Sequence, residues 1–306
     1  MSKKHDFDYM KYSKLALLVS LLAVVVSIGA LAVKGLNMGL DFTGGTLLEV
    51  KYTTAVPVQD ISTALGEAGY KGVSVQSFGA ETDVLVRMSE SFHDGLGEEV
   101  LATLQKAAGA NQLILKRSEF VGANVGEDLR DQGGMALLLA LFLIMLYVAA
   151  RFQFKFSVGA VLALFHDVII ILGVFAIFQI NFDLTVMAAL LAVIGYSLND
   201  TIVVADHIRD NFRTMLNGTP REVINDALNH TFGRTLMTSL TTALVLVALL
   251  VVGGQLIRGF ATALLIGVVV GTYSSIYVAS ALLLAMKVSR EDLMPPEVQD
   301  EIDDRP

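Results

Sequence analysis

Four ionisable side chains stand at or beside positions where hydrocarbon is expected. His166 and Asp167 are adjacent in the middle of one apolar run, Asp200 follows Asn199 in the next, and Arg234 opens a third. An ionisable group at bilayer depth costs roughly 3 kcal/mol or more unless it is paired, neutralised or hydrated, so such groups are functional candidates by default. Desolvation favours the neutral acid and a facing guanidinium favours the carboxylate. Small movements can therefore switch Asp200 between a protonated form and one paired with Arg234. That is the chemistry of a proton carrier, and a charge crossing the membrane potential releases about 2.3 kcal/mol per 100 mV. A static Asp200–Arg234 bridge, with His166 and Asp167 satisfied by neighbouring hydroxyls, is the alternative, and the same residues fit it.

The surroundings are polar in a patterned way. Thr231, Thr235, Thr238 and Thr242 recur at spacings of four, three and four, a stripe down one helical face with Ser239 and Thr241 beside it. The stripe can line a hydrated path to Asp200 or serve as hydroxyl glue between helices; Gly267 and Gly271 in GVVVG read as helix packing. Tyr196 and Gly195, one turn before Asp200 and Asn199, let another helix approach, and the Tyr196 hydroxyl is placed to donate to the carboxylate.

These residues need a membrane scaffold. Of 306 residues 54% are hydrophobic and only 17% charged, which excludes a cytosolic enzyme; a net charge of −8 argues against a nucleic-acid partner. With no cysteine there is no disulfide, thiol chemistry or thiolate-bound metal; the five histidines leave other metal sites formally open, but none is expected. A span needs about 20 mainly apolar residues. Six are expected, at 15–34, 133–152, 156–180, 184–205, 234–254 and 259–286, the first read as a retained anchor. Lys and Arg gather before the first span and after the second, fourth and sixth, so both termini (1–14 and an acidic tail at 287–306) are expected in the cytoplasm.

The long insertion at 35–132 then lies outside. Its pattern reads strand Thr46–Tyr52, helix Val58–Ala68, strand Gly72–Phe78, strand Asp83–Met88, helix Gly95–Ala107 and strand Gln112–Phe120. The order βαββαβ is that of a ferredoxin-like α+β domain. It carries 14 acidic and 7 basic side chains, so most of the negative excess sits there as a solvated surface. In the cytoplasmic loop 206–233, Thr219-Pro220-Arg221-Glu222 is a capping box opening a short amphipathic helix to about Asn229, whose apolar face includes Leu216, Val223, Ile224, Ala227 and Leu228. The tail after Ser289 has the composition of a disordered segment.

Five segments on this topology carry a family resemblance: GLDFTGG (Gly39–Gly45), FHD (Phe165–Asp167), GYSLNDTIVVADHIRDNFR (Gly195–Arg213), RTLMTSLTT (Arg234–Thr242) and GTYSSIYVA (Gly271–Ala279). Together, in order and over nearly the whole chain, they resemble the SecF branch of the SecD/SecF family within the RND superfamily. Ala205 and His207 depart from the family's usual pattern, which puts contacts at the cytoplasmic mouth in doubt.

The resemblance implies half of a twelve-span RND-type unit in the bacterial inner membrane. SecD supplies the other half, and the SecYEG channel, accessory Sec subunits, preprotein and membrane lipids are the further partners. It implies no enzyme activity and no cofactor beyond protons as coupling ion: the proton motive force promotes preprotein translocation, with Asp200 and Arg234 in the proton path and Asp167 a lesser member. The same charged residues would suit a proton-coupled small-molecule exporter, although its external domain should be larger. A non-transporting scaffold is the third class. Asp41, Gly44 and Gly45 are read as the hinge through which helix movement reaches the external domain, the glycines supplying backbone freedom.

Overall fold

The computed structural model describes residues 7–89, 93–109, 112–215, 217–254, 257–289 and 291–293. The start of the N-terminal segment, Leu216 and nearly all of the acidic tail lie outside the described residues.

Helix α1 (Ser13–Lys34) follows a 3-10 turn at Tyr9–Tyr12 and stops at Gly35. A two-residue strand β1 (Asn37–Met38) and a single helical turn α2 (Leu40–Thr43) lead into the external domain: β2 (Gly45–Tyr52), α3 (Val58–Glu67), β3 (Ser74–Phe78), β4 (Ala80–Met88), α4 (Leu96–Ala108) and β5 (Leu113–Val121). The strands pair antiparallel in the order β3-β4-β2-β5, the ferredoxin-like arrangement. Period-two alternation turns Leu48, Val50 and Tyr52 of β2 and Val84, Val86 and Met88 of β4 to one face. There they meet Ile61 and Leu65 of α3 and Leu96, Val100 and Leu104 of α4, which recur every four residues along their helices.

The chain re-enters the apolar layer on α5 (Ala123–Arg151), then α6 (Phe154–Phe178), a short strand β6 (Asn181–Phe182), α7 (Leu184–Thr214), α8 (Pro220–Val252) and α9 (Arg258–Tyr273). A π-helical turn at Ser274–Ala279 joins α9 to α10 (Ser280–Ala285). Among the described residues six helical segments are long and apolar enough to span a membrane. Three of them depart from the expected boundaries, because polar residues end a hydrophobic run without ending a helix. Helix α5 starts at Ala123 rather than 133, and α7 continues past 205 to Thr214. The short amphipathic helix expected at 220–229 and the fifth span are one helix: the Thr219–Glu222 capping box starts it, and Gly233, at about 1 kcal/mol, does not break it.

Burial divides the six spans. About half of the apolar window of α6, α7 and the sixth span is covered by protein, against 17% for α1, 11% for α5 and 17% for α8, so the first three form the centre. Small residues let them meet: a Cβ on Gly267 would stand 2.2 Å from Val193 Cγ2, and one on Gly271 would stand 3.0 Å from Ser197 Cβ.

Candidate functional site

The centre of the bundle holds a polar cluster that three helices build together. From α6 come His166 and Asp167, from α7 Ser197, Asp200 and Thr201, and from the π turn Ser274 and Ser275. Asp167, Asp200 and His166 are 1%, 5% and 7% exposed. His166 Nδ1 lies 2.8 Å from Asp167 Oδ1, and Ser197 Oγ donates to Asp167 Oδ2 at 2.5 Å. Asp167 is thereby held on both oxygens, and Ser197 is the residue that ties α6 to α7. One turn on, Asp200 Oδ2 is buried with no hydrogen-bond partner, as is His166 Nε2. A buried carboxylate oxygen without a donor is costly, which marks Asp200 as the candidate functional group of the cluster.

The sixth span meets the cluster with irregular backbone. Thr201 Oγ1 and Ser275 Oγ are 3.0 Å apart, Ser275 donates to the carbonyl of Gly271 at 2.9 Å, and the Ser274 hydroxyl reaches the carbonyl of Ala163 at 3.4 Å. π turns concentrate at functional sites, since the extra residue per turn redirects side chains and loosens the ladder of backbone bonds. Tyr273, just before it, stacks 6.5 Å from His166 and donates to the carbonyl of Ala16, fastening α1 to the cluster.

Several sequence expectations take a different form here. No ion pair or hydrogen bond joins Arg234 to Asp200: the guanidinium's residue is exposed on α8 while the carboxylate is buried on α7. The helices do run side by side, and Arg234, exposed on α8, acts on the carboxylate through its charge without bonding to it. Tyr196 donates to Ser239 Oγ at 3.2 Å instead of to the carboxylate, and Ser239 Oγ is 2.6 Å from Thr272 Oγ1. The threonine stripe mostly folds back on its own helix. Thr231, Thr238 and Thr242 donate to carbonyls three or four residues earlier, the usual recourse of a helical threonine, while Thr235 Oγ1 is buried without a partner. Asn199 is exposed on the outer face of α7.

The Asp41-Gly44-Gly45 segment is packed. Gly44 and Gly45 have φ of +66° and +111°, and a Cβ would stand 2.7 Å from Ala123 Cα at the first and 2.5 Å from the carbonyl oxygen of Met88 at the second. Glycine is required there by backbone sign and close approach, which makes the joint tight.

Sequence reasoning overlooked Ser197, Thr201, Ser274, Ser275 and Tyr273. All five sit inside segments singled out for their family resemblance, and the run Tyr-Ser-Ser facing Ser-Leu-Asn-Asp-Thr was the available signal.

Six spans around a sheltered carboxylate cluster, with an α+β domain on one side, define a multi-pass membrane transport component. The chain belongs to the SecD/SecF family of protein export membrane proteins: residues 100–289 match the family's C-terminal region and residues 29–56 its GG motif. It is 48% identical to protein translocase subunit SecF of Pseudomonas aeruginosa, over 98% of this chain and 97% of that one. It is 48% identical to the same subunit of Vibrio alginolyticus, over 98% and 96%. Among solved structures it resembles SecDF of Thermus thermophilus, described as a translocon-associated membrane protein, at 38% identity and a TM-score of 0.84. That match takes in 94% of this chain and 39% of the SecDF chain, so this chain spans about two-fifths of that protein. A second SecDF structure, described as a super-membrane-facing form, matches with a TM-score of 0.69. The protein is thus a SecF-type component of the Sec pathway in the inner membrane.

Proposed function

We propose that the chain couples the proton motive force to preprotein translocation, with Asp200 as the proton-carrying group. The observation that carries this reading is the buried, unpartnered Asp200 Oδ2 beside a second carboxylate already satisfied on both oxygens. Two buried carboxyl groups in different environments divide the work: Asp167, held by His166 and Ser197, organises the helices, and Asp200 takes and releases the proton. Arg234 pairs with Asp200 in an alternate arrangement, so that protonation state sets helix position. Both termini lie in the cytoplasm and the α+β domain lies outside, in keeping with the distribution of Lys and Arg.

A SecD-type half-unit covers the face formed by α7 and α8. Gly195, Asn199, Arg234, Thr238 and Thr241 are exposed there within apolar helices, and nothing stands within 4 Å of a Cβ built on Gly195. Hydrocarbon is a poor neighbour for a guanidinium and an amide, whereas a partner's polar helices suit them. The SecYEG channel, preprotein and lipids complete the assembly in this reading. The test is Asp200→Asn, which keeps size and removes the titration. It should fold, associate with the SecD-type partner, and lose all gradient-dependent stimulation of preprotein translocation into inverted vesicles. Normal stimulation in that variant would end the proposal.

A further inference from the structure

We infer that Arg87 and Asp41 form a two-point latch that fastens the external domain to the α6–α7 hairpin, the pair of helices bearing the buried carboxylates. Arg87 leaves β4 on the sheet face away from the domain core. Its Nη1 donates to the carbonyl of Met38 at 2.6 Å and its Nη2 to Asn181 Oδ1 at 3.0 Å. Asn37 Nδ2 donates to the same Asn181 oxygen at 2.9 Å, and Asn37–Met38 pairs in parallel with Asn181–Phe182. The second point is Asp41, whose Oδ2 accepts from the backbone N–H of Leu184 at 3.0 Å. Helix α7 therefore begins under two carboxylates, since its own Asp183 accepts from Val186 N at 2.9 Å. Negative charge at a helix N-terminus is stabilising, and here half of that charge comes from the segment leading into the external domain.

The latch is polar and localised. A cleft of about 540 Å³ separates much of the outer sheet face, including Glu49, Arg117 and Glu119, from the helix ends at Asp183, Thr185 and Gly259. Across it the sheet reaches the hairpin through the directional bonds of Arg87, while beside the cleft Phe42 of α2 stacks on Phe182. Burial pulls the Arg87 guanidinium below its ordinary value, and its Nε has no partner, so the acceptors on Met38 and Asn181 matter to a half-desolvated charge. From Leu184 the helix runs about 24 Å to Asp200 at 1.5 Å per residue. A rigid shift of α7 set by Asp200 would thus reach the helix start at Leu184, where Asp41 is bonded, and the adjoining Asn181 held by Arg87. The latch itself stands on the bonds described; that it carries motion from Asp200 rests on the proposed proton path.

The chain has no cysteine, so cysteines introduced at exposed Glu81 and Phe178 give one clean spin-label pair between sheet and hairpin. The measurement is the interlabel distance distribution by pulsed electron resonance, on the full chain in phosphatidylethanolamine–phosphatidylglycerol vesicles with its SecD-type partner. The parent should give one narrow peak. Arg87→Met and Asp41→Ala should replace it with a broad distribution, and Arg87→Lys should fall between. Asn181→Ala removes the same acceptor from the hairpin side without touching the sheet, and should broaden it too if Arg87→Met does not fold. A parent-like narrow peak in both Arg87→Met and Asn181→Ala overturns the latch. Asp200→Asn should shift the peak in the parent and leave the latch variants unmoved. If the latch variants broaden while Asp200→Asn shifts nothing, the latch stands and the proton reading falls.

Discussion

The external sheet and the membrane bundle handle charge in opposite ways. On the sheet, Lys116 lies 3.1 Å from Asp83 and 3.6 Å from Glu49, and Arg117 pairs with Glu119, all on the face turned from a largely apolar core. In the bundle the charges are few and lie at the centre; among the described residues each region leaves one buried carboxylate oxygen without a partner, Asp83 Oδ1 on the sheet and Asp200 Oδ2 in the bundle, but only the sheet's carboxylate has a lysine beside it. Water at the edge of the sheet and the cations facing Glu49, Asp83 and Glu119 keep the first arrangement inexpensive. Without water the second is expensive, so a carboxyl group kept there must be doing chemistry or holding helices. Stability and function are thereby allotted to different parts of one chain: the external domain is secured by apolar burial, and the bundle spends some of its stability on a polar centre.

The contrast can be broken most sharply in the external core. Leu48→Ala removes a fully buried side chain from β2 and should cost about 2–5 kcal/mol of domain stability. Chemical denaturation followed by the circular dichroism of the sheet would measure it, and spectroscopic titration of Asp200 should not change. Ser197→Ala should cost less, about 1–3 kcal/mol, by stripping Asp167 Oδ2 of its donor. Its signature lies in the bundle: a lower Tm for the helical signal with the external domain unaffected, and a changed carboxyl stretch in the infrared. Equal destabilisation of both regions would mean that they are not separable in this way.

The smallest effect is expected at the cytoplasmic foot of α8. Thr219 Oγ1 accepts from Glu222 N at 3.3 Å and Glu222 Oε2 accepts from Thr219 N at 2.8 Å. Thr219→Ala should cost about 1 kcal/mol of helix stability. The Thr219 N–H and hydroxyl hold the Glu222 carboxyl below its ordinary value. Because the folded value is the depressed one, the box contributes fully above the unfolded value and fades as pH falls through the folded one. Thermal melts of parent and Thr219→Ala should draw closer as the carboxyl protonates, with a residual gap from the bond between Glu222 N–H and the Thr219 hydroxyl. A gap that does not change with pH would assign the effect to that bond and to helix propensity, not to the carboxylate.

Much of the fold is legible in the chain before any coordinates. Leu48, Val50 and Tyr52 alternate, Ile61 and Leu65 recur at helical spacing, and the six apolar runs are too long for anything but spans. The four-stranded order follows from βαββαβ because few topologies satisfy it. His166, Asp167 and Asp200 are equally visible, since an ionisable residue in an apolar run is conspicuous. Helix ends are not: α5, α7 and α8 continue through polar sequence that looks like loop, because backbone hydrogen bonding does not require hydrophobic side chains.

What the sequence determined by itself was therefore inventory and period: six spans, an α+β domain, carboxyl groups at bilayer depth, and membership of a family through motifs that survive in linear order. Tertiary structure alone decided which polar group meets which. Ser197 rather than Arg234 bonds a buried carboxylate, Tyr196 turns to Ser239, Arg87 reaches Asn181 from 94 positions away, and Asp41 caps a helix that begins 143 positions later. The physical reason is range. Burial and periodicity are set by neighbours a few residues along the chain, whereas a hydrogen bond forms only within about 3 Å and a narrow angle. Those tolerances are met or missed by how whole helices rotate and slide against one another, which no local pattern encodes.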